Sequence, residues 1–506
     1  MLSKVKSHGL SGLAGFPVTI ETDLTHGMPA YETVGLPDAA VKESRERVRA
    51  AMKNSGFWFE PARVTVSLAP ADVRKEGSIY DLPIALSILI AAGKLRQDQA
   101  EGIVFLGELS LDGKLRPVNG VLPMVIDAYG KGARVFAVPE ENAPEASYIE
   151  GATILPVASL KQLTLHLQGK ALITPSSVRA FTKEELVFSA DFCEVRGQEA
   201  AKRAAEIAVA GGHNILLYGT PGSGKTMIAR ALPSILPELT FEETLEITKI
   251  HSIVGATRGK LGLVTERPFR GPHHGASATA MVGGGAKAMP GEISLAHYGV
   301  LFLDELPEFQ RGVLEALRQP LEDGCITVSR AAATVTYPAS FVLAAAMNPC
   351  PCGNFGSRVK QCTCTPAQIR RYTTRISGPL LDRIDIQIEM TEVGYEELTG
   401  KPAAENSATI RARVNAARVI QRERLAPHGL LFNAQMNNAL IRQYCRVDAR
   451  TEKFIRLVYE QKKLSARAYQ RILKVARTIA DIAGEKDIAY THVAEAVQYR
   501  TAVSEQ

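Results

Sequence analysis

Eight residues constrain this chain more than any others. Gly219-Thr220-Pro221-Gly222-Ser223-Gly224-Lys225-Thr226 carries the spacing G-x-x-x-x-G-K-[ST]. An apolar run, 215–218, precedes it, and a helical run, 227–232, follows. Strand, glycine loop and helix together are the context in which this spacing holds phosphate. The glycines let the backbone wrap close enough for its N–H groups to reach phosphate oxygens. The N-terminus of the helix adds a favourable dipole. Lys225 then reaches the β- and γ-phosphates, and the Thr226 hydroxyl joins a Mg²⁺ shell. The expected fold class is therefore α/β, a P-loop core on a parallel sheet, with ATP and Mg²⁺ as cofactors.

A second motif completes the chemistry. Val300-Leu301-Phe302-Leu303 is a buried strand that ends in Asp304-Glu305, 85 residues beyond Gly219. Asp304 is expected to hold the Mg²⁺, and Glu305 to polarise the attacking water as a base. The alternative is a strand end with two solvated acids. Arg383 lies in Gly378-Pro379-Leu380-Leu381-Asp382-Arg383-Ile384-Asp385. An arginine offered to a neighbouring subunit's γ-phosphate stabilises transition-state charge. A local ion pair with Asp382 or Asp385 is the plainer reading of it.

Three units follow along the chain. Residues 1–168 alternate strand-like runs (64–68, 103–106, 135–138) with helical patterns (38–54, 82–92). Residues 169–192, with Pro175, Ser176 and Ser177, read as a linker. Residues 193–390 have the strand–loop–helix rhythm of a parallel sheet, including a third apolar strand at 342–347. Residues 391–506 are helical, with apolar residues at helical spacing over 408–424, 436–444, 450–463, 466–483 and 491–499.

Charge is unevenly spread. Residues 401–506 hold 19 Lys/Arg against 10 Asp/Glu, and the rest of the chain holds 40 against 43. That asymmetry fits a C-terminal surface facing phosphates, or else a solvated helical face. With 46% apolar and 22% charged residues, the composition is that of a globular protein. The longest apolar run, near 82–93, contains Pro83 and Ser87 and falls short of the ~20 residues a membrane span needs. The first residues, MLSKVKSHGL, lack the apolar core of a signal peptide. The expectation is a cytoplasmic protein with no membrane partner, its seven cysteines reduced.

Several features sit outside the nucleotide motifs. Arg267-Pro268-Phe269-Arg270-Gly271-Pro272-His273-His274, followed by Gly283-Gly284-Gly285, reads as an insertion with a flexible tip that faces a central pore. His273 and His274 could touch phosphate or simply pack. Residues 327–330 and 334–337 read as two strands joined by Ala331-Ala332-Ala333. That resembles the hairpin which grips DNA in some ring helicases, and the resemblance implies a phosphate contact for Arg330 near the tip. Cys350-Pro351-Cys352 and Cys362-Thr363-Cys364 form C-x-C-x₉-C-x-C. Four thiolates in two pairs can close a tetrahedral Zn²⁺ site, although the usual spacing is C-x₂₋₄-C, and four reduced cysteines in a loop remain the other reading. Lys42, Arg45, Arg47, Arg49 and Lys53 on one helical stretch could meet nucleic acid, or be a solvated face.

Taken together, the chain resembles the ComM/YifB-type, magnesium chelatase-like AAA+ ATPases. The matching stretches are Val34-Gly35-Leu36-Pro37, Lys75-Glu76-Gly77 with Asp81-Leu82-Pro83, and Arg267 to His274. Further matches are Gly291-Glu292-Ile293-Ser294-Leu295-Ala296-His297, residues 304–309, residues 348–353 and residues 377–385. The resemblance implies an N-terminal domain of Lon-protease-like (ribosomal S5 domain 2-like) fold, an AAA+ core and a C-terminal helical lid. It implies a hexameric ring, a homo-oligomer, that translocates on single-stranded or branched DNA and promotes branch migration during natural transformation. In AAA+ proteins a polar residue at the place of Asn348 orients the water or meets the γ-phosphate. Arg467, which opens a helix of the lid, becomes the arginine that closes onto the nucleotide, with Arg471 as its rival. A Lon-type protease uses a Ser–Lys dyad, and here those places fall on Ile79 and Leu122. Ser78 is nearby, but without a lysine base its hydroxyl is not activated. The N-terminal unit is therefore expected to be non-proteolytic.

Three rival functions remain. They are a motor for metal insertion or protein remodelling, an active Lon-like protease, and a DNA-binding scaffold with a vestigial ATPase. The missing lysine opposes the second. Intact Lys225, Asp304, Glu305 and Arg383 oppose the third.

Overall fold

The computed structural model of the protein describes residues 2–25, 27–58, 62–181, 188, 190–257, 262–285, 288–330, 333–357, 360–394 and 405–500. The chain divides into two compact units, Met1–Glu184 with Phe241–Thr265, and Glu185–Thr240 with Glu266–Gln506.

The first unit is built on a seven-stranded mixed sheet. Its strands are β1 (Leu2–Ser11), β2 (Ala14–Thr25), β3 (Ala30–Val34), β4 (Arg63–Ala69), β5 (Ile103–Phe105), β8 (Val135–Pro139) and β9 (Thr153–Val157), in the order β3-β4-β2-β1-β5-β8-β9. Two short strands, β6 (Glu108–Leu109) and β7 (Leu115–Arg116), pair separately. Alternation explains the long hairpin. Val18, Ile20 and Thr22 of β2 point into the core, and the residues between them do not. Helix Asp81–Ala91 is buried along its whole length, which is why its apolar run shows no helical stripe. Helix Ala39–Asn54 is amphipathic and starts at Asp38, whose carboxylate accepts from the Val41 N–H at 2.8 Å.

Five findings bear on the expectations for this unit. Ile79 and Leu122, the places of a protease dyad, are core residues. The Ser78 hydroxyl donates to the Glu108 carboxylate. Lys75 is fully buried and donates to the carbonyls of Val73, at 2.7 Å, and Pro70. Arg47, one of the five basic residues that could meet nucleic acid, is instead bound to the buried carboxylate of Asp81 at 2.8 Å. Residues 241–265, which the sequence reading put in the ATPase core, belong to this first unit. Helix Phe241–Ile253 buries Ile247, Ile250 and Ile253. Its end is tied down by Gly120 N–H to Ser252 O, 3.1 Å, and by Ser252 Oγ to Glu145 Oε2, 2.9 Å.

The second unit carries a five-stranded parallel sheet. Its strands are β10 (Ile215–Gly219), β11 (Phe269–Arg270), β14 (Val300–Leu303), β17 (Val342–Met347) and β18 (Ile386–Met390), in the order β11-β14-β17-β10-β18. β10, β14 and β17 are buried throughout, as strands of a parallel sheet covered on both faces must be. β10 pairs with both β17 and β18, so the chain order reverses beside it. In open α/β sheets ligands bind at the carboxyl ends of the strands at such a reversal. The same unit holds two short ladders, β12 (Gly283–Gly284) with β13 (Met289–Pro290), and β15 (Cys325–Arg330) with β16 (Ala333–Pro338). The hairpin expected at 327–337 is the second of these. Its residues 331–332 and the Arg330 side chain lie outside the described residues, as do tip residues 286–287 of the inserted segment.

The C-terminal helices are not a separate body. Ser407–Leu425, Asn438–Tyr444, Ala449–Gln461, Ala466–Ile482 and Tyr490–Gln498 share one core with the ATPase sheet. Asn406, Asn437, Asp448 and Ser465 cap four of them through their side chains. Polar seams add direction to the apolar packing. The Gln421 amide donates to Ala210 O at 3.1 Å, and His213 bonds Thr478 at 2.8 Å. Buried Asp481 accepts from Arg424, Arg477 and Asn433 at 2.5–3.0 Å.

Candidate nucleotide-binding site

β10 delivers its last residue, Gly219, into a loop that turns back at Gly222 (φ +82°) and Gly224 (φ +90°) before helix Lys225–Ile235 begins. Both angles lie where a side chain would be strained. Gly219 meets a different limit, since a Cβ there would sit 2.2 Å from the Met390 carbonyl oxygen. The hydroxyls of Thr220 and Ser223 are buried with no hydrogen-bond partner among the described residues. Orphaned buried donors of this kind are costly unless a ligand satisfies them. The Lys225 ammonium folds back on the loop and donates to Gly219 O at 2.7 Å and Thr220 O at 2.8 Å. Burial pushes its pKa down to about 8, against the pull of Asp304. The donors present fit a polyphosphate.

The metal position is equally well formed. Asp304 follows the end of β14, and its Oδ2 accepts from the Thr226 hydroxyl at 3.0 Å. These two residues would hold Mg²⁺, which supplies charge neutralisation of the phosphates. Glu305 comes next, at φ +52°, and its side chain is 52% exposed. Asn348 follows β17, the strand between β14 and β10 in the sheet. All five polar residues therefore gather at one edge, because three adjacent parallel strands end there.

His274 is at this edge too. It follows β11, which pairs with β14, and its Nδ1 lies 3.1 Å from Glu305 Oε2. The His273 ring lies against it, tilted by 36°, with ring centroids 4.1 Å apart. Of this pair, read from the sequence as phosphate contacts or packed residues, His274 meets the Glu305 carboxylate.

Arg383 and Arg467 are elsewhere. Arg383 stands just before β18, at the end of the sheet opposite Gly219. Five residues of strand, roughly 16 Å, separate the two ends. Its guanidinium is 7% exposed, pairs with Glu322, and donates to Pro379 O at 2.8 Å. The local partner is thus Glu322, and neither Asp382 nor Asp385. Arg467 reaches the same Glu322 at 3.7 Å, so the two arginines share a carboxylate and neither lines the cavity beside the P-loop. Arg467, expected from the sequence to close onto the nucleotide, is half exposed beside Glu322. Arg471 is committed to Asp385, which burial would push up but which Arg471 and His213 hold well below the usual carboxylate range. Glu322 had no signal in the sequence.

The cavity beside the P-loop measures about 580 Å³. One wall is Thr220 to Gly224 with Gln198, and another is Cys352, Asn354, Ser357 and Lys360. The second wall belongs to the four cysteines. Cys350, Cys352, Cys362 and Cys364 place their sulfurs within 4.8 Å of one another. Three of the separations are 3.4, 3.7 and 3.6 Å. A tetrahedron with Zn–S near 2.3 Å has edges of about 3.8 Å, so the donor set fits Zn²⁺. The backbone N–H groups of Asn354 and Thr363 draw the Cys352 thiol down to about 5, whereas, against a backbone N–H at each, burial and the neighbouring Cys352 and Cys350 push Cys362 and Cys364 up.

A phosphate cradle at the switch point of a parallel sheet, with Lys225, the Thr226–Asp304 pair and Glu305 around it, defines a P-loop ATPase of the AAA+ class. Three family descriptions match the chain in succession. They are "Subunit ChlI of Mg-chelatase" over residues 20–142, "Magnesium chelatase, subunit ChlI" over 191–398, and "Magnesium chelatase, subunit ChlI C-terminal" over 404–500. The uncharacterized protein YifB of Escherichia coli is 44% identical over 502 residues, covering 99% of this chain and 97% of its own. Competence protein ComM of Haemophilus influenzae is 43% identical over 510 residues, covering 99% and 98%. A Lon protease of Mycolicibacterium smegmatis is 26% identical over 163 residues, 31% of this chain and 20% of its own. The chain belongs to the magnesium chelatase-like AAA+ family that contains YifB and ComM. Among the described residues no helix is long and apolar enough to cross a membrane.

Proposed function

We propose that this protein is an ATP-driven DNA translocase that works as a hexameric ring in the cytoplasm and moves branched recombination intermediates during natural transformation. One observation carries the ring. Arg383 and Arg467 are gathered on Glu322, a sheet's length from their own P-loop. An arginine pair so remote from its own nucleotide is useful to a neighbour's, where it stabilises charge in phosphoryl transfer. The DNA substrate is supported by the relative named competence protein ComM and by the basic excess of residues 401–506.

In this reading Lys225 and the loop N–H groups bind the phosphates. Thr226 and Asp304 hold the Mg²⁺, and Asn348 and Glu305 orient the water and accept its proton. Arg383 completes the site from the next subunit, which ties hydrolysis to assembly. The four cysteines hold one Zn²⁺. The rival reading, a motor for metal insertion or protein remodelling, is favoured by the family match to magnesium chelatase.

Steady-state ATP hydrolysis with and without single-stranded, duplex and four-way-junction DNA separates the two, with Glu305→Gln as control. Stimulation by DNA that vanishes in the variant supports the translocase. Vigorous hydrolysis indifferent to every DNA rejects it in favour of the rival.

A further inference from the structure

We propose that the cysteine knuckle, residues 350–364, is a zinc-built wall of the nucleotide pocket, so that zinc occupancy sets nucleotide affinity. This rests on the reading that the four cysteines bind Zn²⁺, and goes beyond it by giving the metal a task.

The knuckle leaves β17 directly after Asn348, which places it beside the P-loop strand. Between its two cysteine pairs the chain makes a loop with no helix or strand among its described residues. Turns such as Gly353 N–H to Cys350 O, 2.9 Å, and Ser357 N–H to Asn354 O, 3.0 Å, shape it locally, and its two ends meet at sulfur. Cys362 Sγ lies 3.7 Å from Cys350 Sγ and 3.6 Å from Cys352 Sγ. Phe355 N–H donates to Cys350 Sγ at 3.3 Å, and Cys364 N–H to Cys362 Sγ at 3.4 Å. Backbone donors aimed at sulfur are the outer shell that supports metal-bound thiolates. Four close thiols without a cation would instead leave the two cysteine pairs joined by weak S–H contacts, with any thiolates repelling one another.

The loop's outer face is functional surface. Gly353 sits between the first cysteine pair and Asn354, at φ +80°, pressed on the P-loop. A Cβ at Gly353 would lie 2.6 Å from Pro221 Cγ. Asn354, Ser357 and Lys360 then line the cavity opposite Thr220 and Gly224. Ser357 is anchored by its hydroxyl to Glu392 Oε1 at 2.5 Å, so the wall also braces the segment that follows β18. Closing the sulfur tetrahedron fixes Gly353 against Pro221, and Gly353 fixes the wall. Loss of the metal frees the wall and loosens the seat of the nucleotide. The role is positional, since no cysteine needs to touch the nucleotide.

The test uses the full chain purified without chelators. Zinc is counted by elemental analysis, then withdrawn with an organomercurial while a metallochromic dye records its release. Affinity for a fluorescent ADP analogue is measured before and after, with Lys225→Ala as the non-binding control. The expected result is one zinc per chain and at least a tenfold weaker affinity once it is gone. Zinc returned with excess thiol should restore binding. Gly353→Ala provides an arm that keeps all four cysteines, and it should retain zinc yet bind the analogue several-fold more weakly. One zinc per chain whose removal leaves affinity unchanged, with Gly353→Ala binding normally, overturns the inference and spares the metal site. A protein that carries no zinc and takes none up overturns the metal reading and the inference together.

Discussion

Nδ1 of His274 lies 3.1 Å from Oε2 of Glu305. The partner of Glu305, the base in the proposed mechanism, is thus a side chain from the neighbouring strand segment, with no lysine or arginine paired to it among the described residues. A carboxylate that shares an oxygen with an imidazole has one fewer lone pair to offer a water. His274 also lies in the inserted segment, which runs on through helix Ala278–Val282 to the β12–β13 ladder. A ligand that moves that segment can therefore release the base. His274→Ala should raise DNA-independent kcat by about 3- to 10-fold and shrink the further stimulation by DNA, within the range of general-base effects. A fall in kcat with unchanged stimulation would show that His274 orients Glu305 productively instead. Glu305→Gln should lose about 10²- to 10⁴-fold in kcat while still binding nucleotide.

Nucleotide affinity should depend on pH through Lys225. Its pKa is lowered to about 8 by burial, with Asp304 opposing. The free protein therefore carries the charge below pH 8 and loses it above. Phosphate binding needs the ammonium, so affinity is full below that value and falls as pH rises through it. Between pH 7 and pH 9 the dissociation constant should rise about tenfold, the change in the protonated fraction of such a group. Fluorescence titration with an ADP analogue at fixed ionic strength measures it. A flat profile over this range would assign the loop N–H groups the main share of phosphate binding.

Much of the second unit was legible because its signals are local. A glycine loop between an apolar strand and a helix, and two acids after a buried strand, need no knowledge of distant partners. The hairpin at 325–338 and the C-terminal helices were visible for the same reason, in alternation and in helical spacing. Other features depended on where the chain goes in space. Helix Phe241–Ile253 has little amphipathic stripe and follows the P-loop helix directly, yet it belongs to the first unit. β1 and β2, the longest strands, carry polar residues such as Ser3, Ser7 and Thr22 inside, so their alternation is muted. Glu322 is an ordinary helical acid in the sequence. Only folding brings it to Arg383 and Arg467. His274 was marked as a candidate for another reason, since sequence order cannot say that its strand pairs with the one carrying Glu305.

Stability of the helical part should hinge on Asp481. Its side chain is fully buried and accepts from Arg424, Arg477 and Asn433. Arg477 is itself buried and also donates to the carbonyls of Glu485 and Lys486. Removing the acid leaves two guanidiniums unpaired in a closed environment, which costs about 3–5 kcal/mol. Asp481→Ala should lower the urea midpoint of this unit accordingly, and Asp481→Asn less, because the amide oxygen still accepts. Equal and small effects of both would mean that water reaches the arginines.

The arginine pair gives the sharpest test of assembly. Arg383 cannot reach its own P-loop across the sheet, so a chain lacking it is defective only toward its neighbour. Arg383→Ala should cut kcat by about 10³-fold or more, the usual weight of such an arginine. Its cost in stability should be small, because the partner it abandons, Glu322, is half exposed and can be solvated. Lys225→Ala should be inactive for the opposite reason, failing in its own pocket. Mixed in one assembly, the two variants create interfaces in which an intact Lys225 faces an intact Arg383. Activity should return in a bell-shaped dependence on the mixing ratio. If every mixture stays inactive while gel filtration shows the rings co-assembled, Arg383 serves its own chain, and the case for a ring motor built on shared sites falls with it.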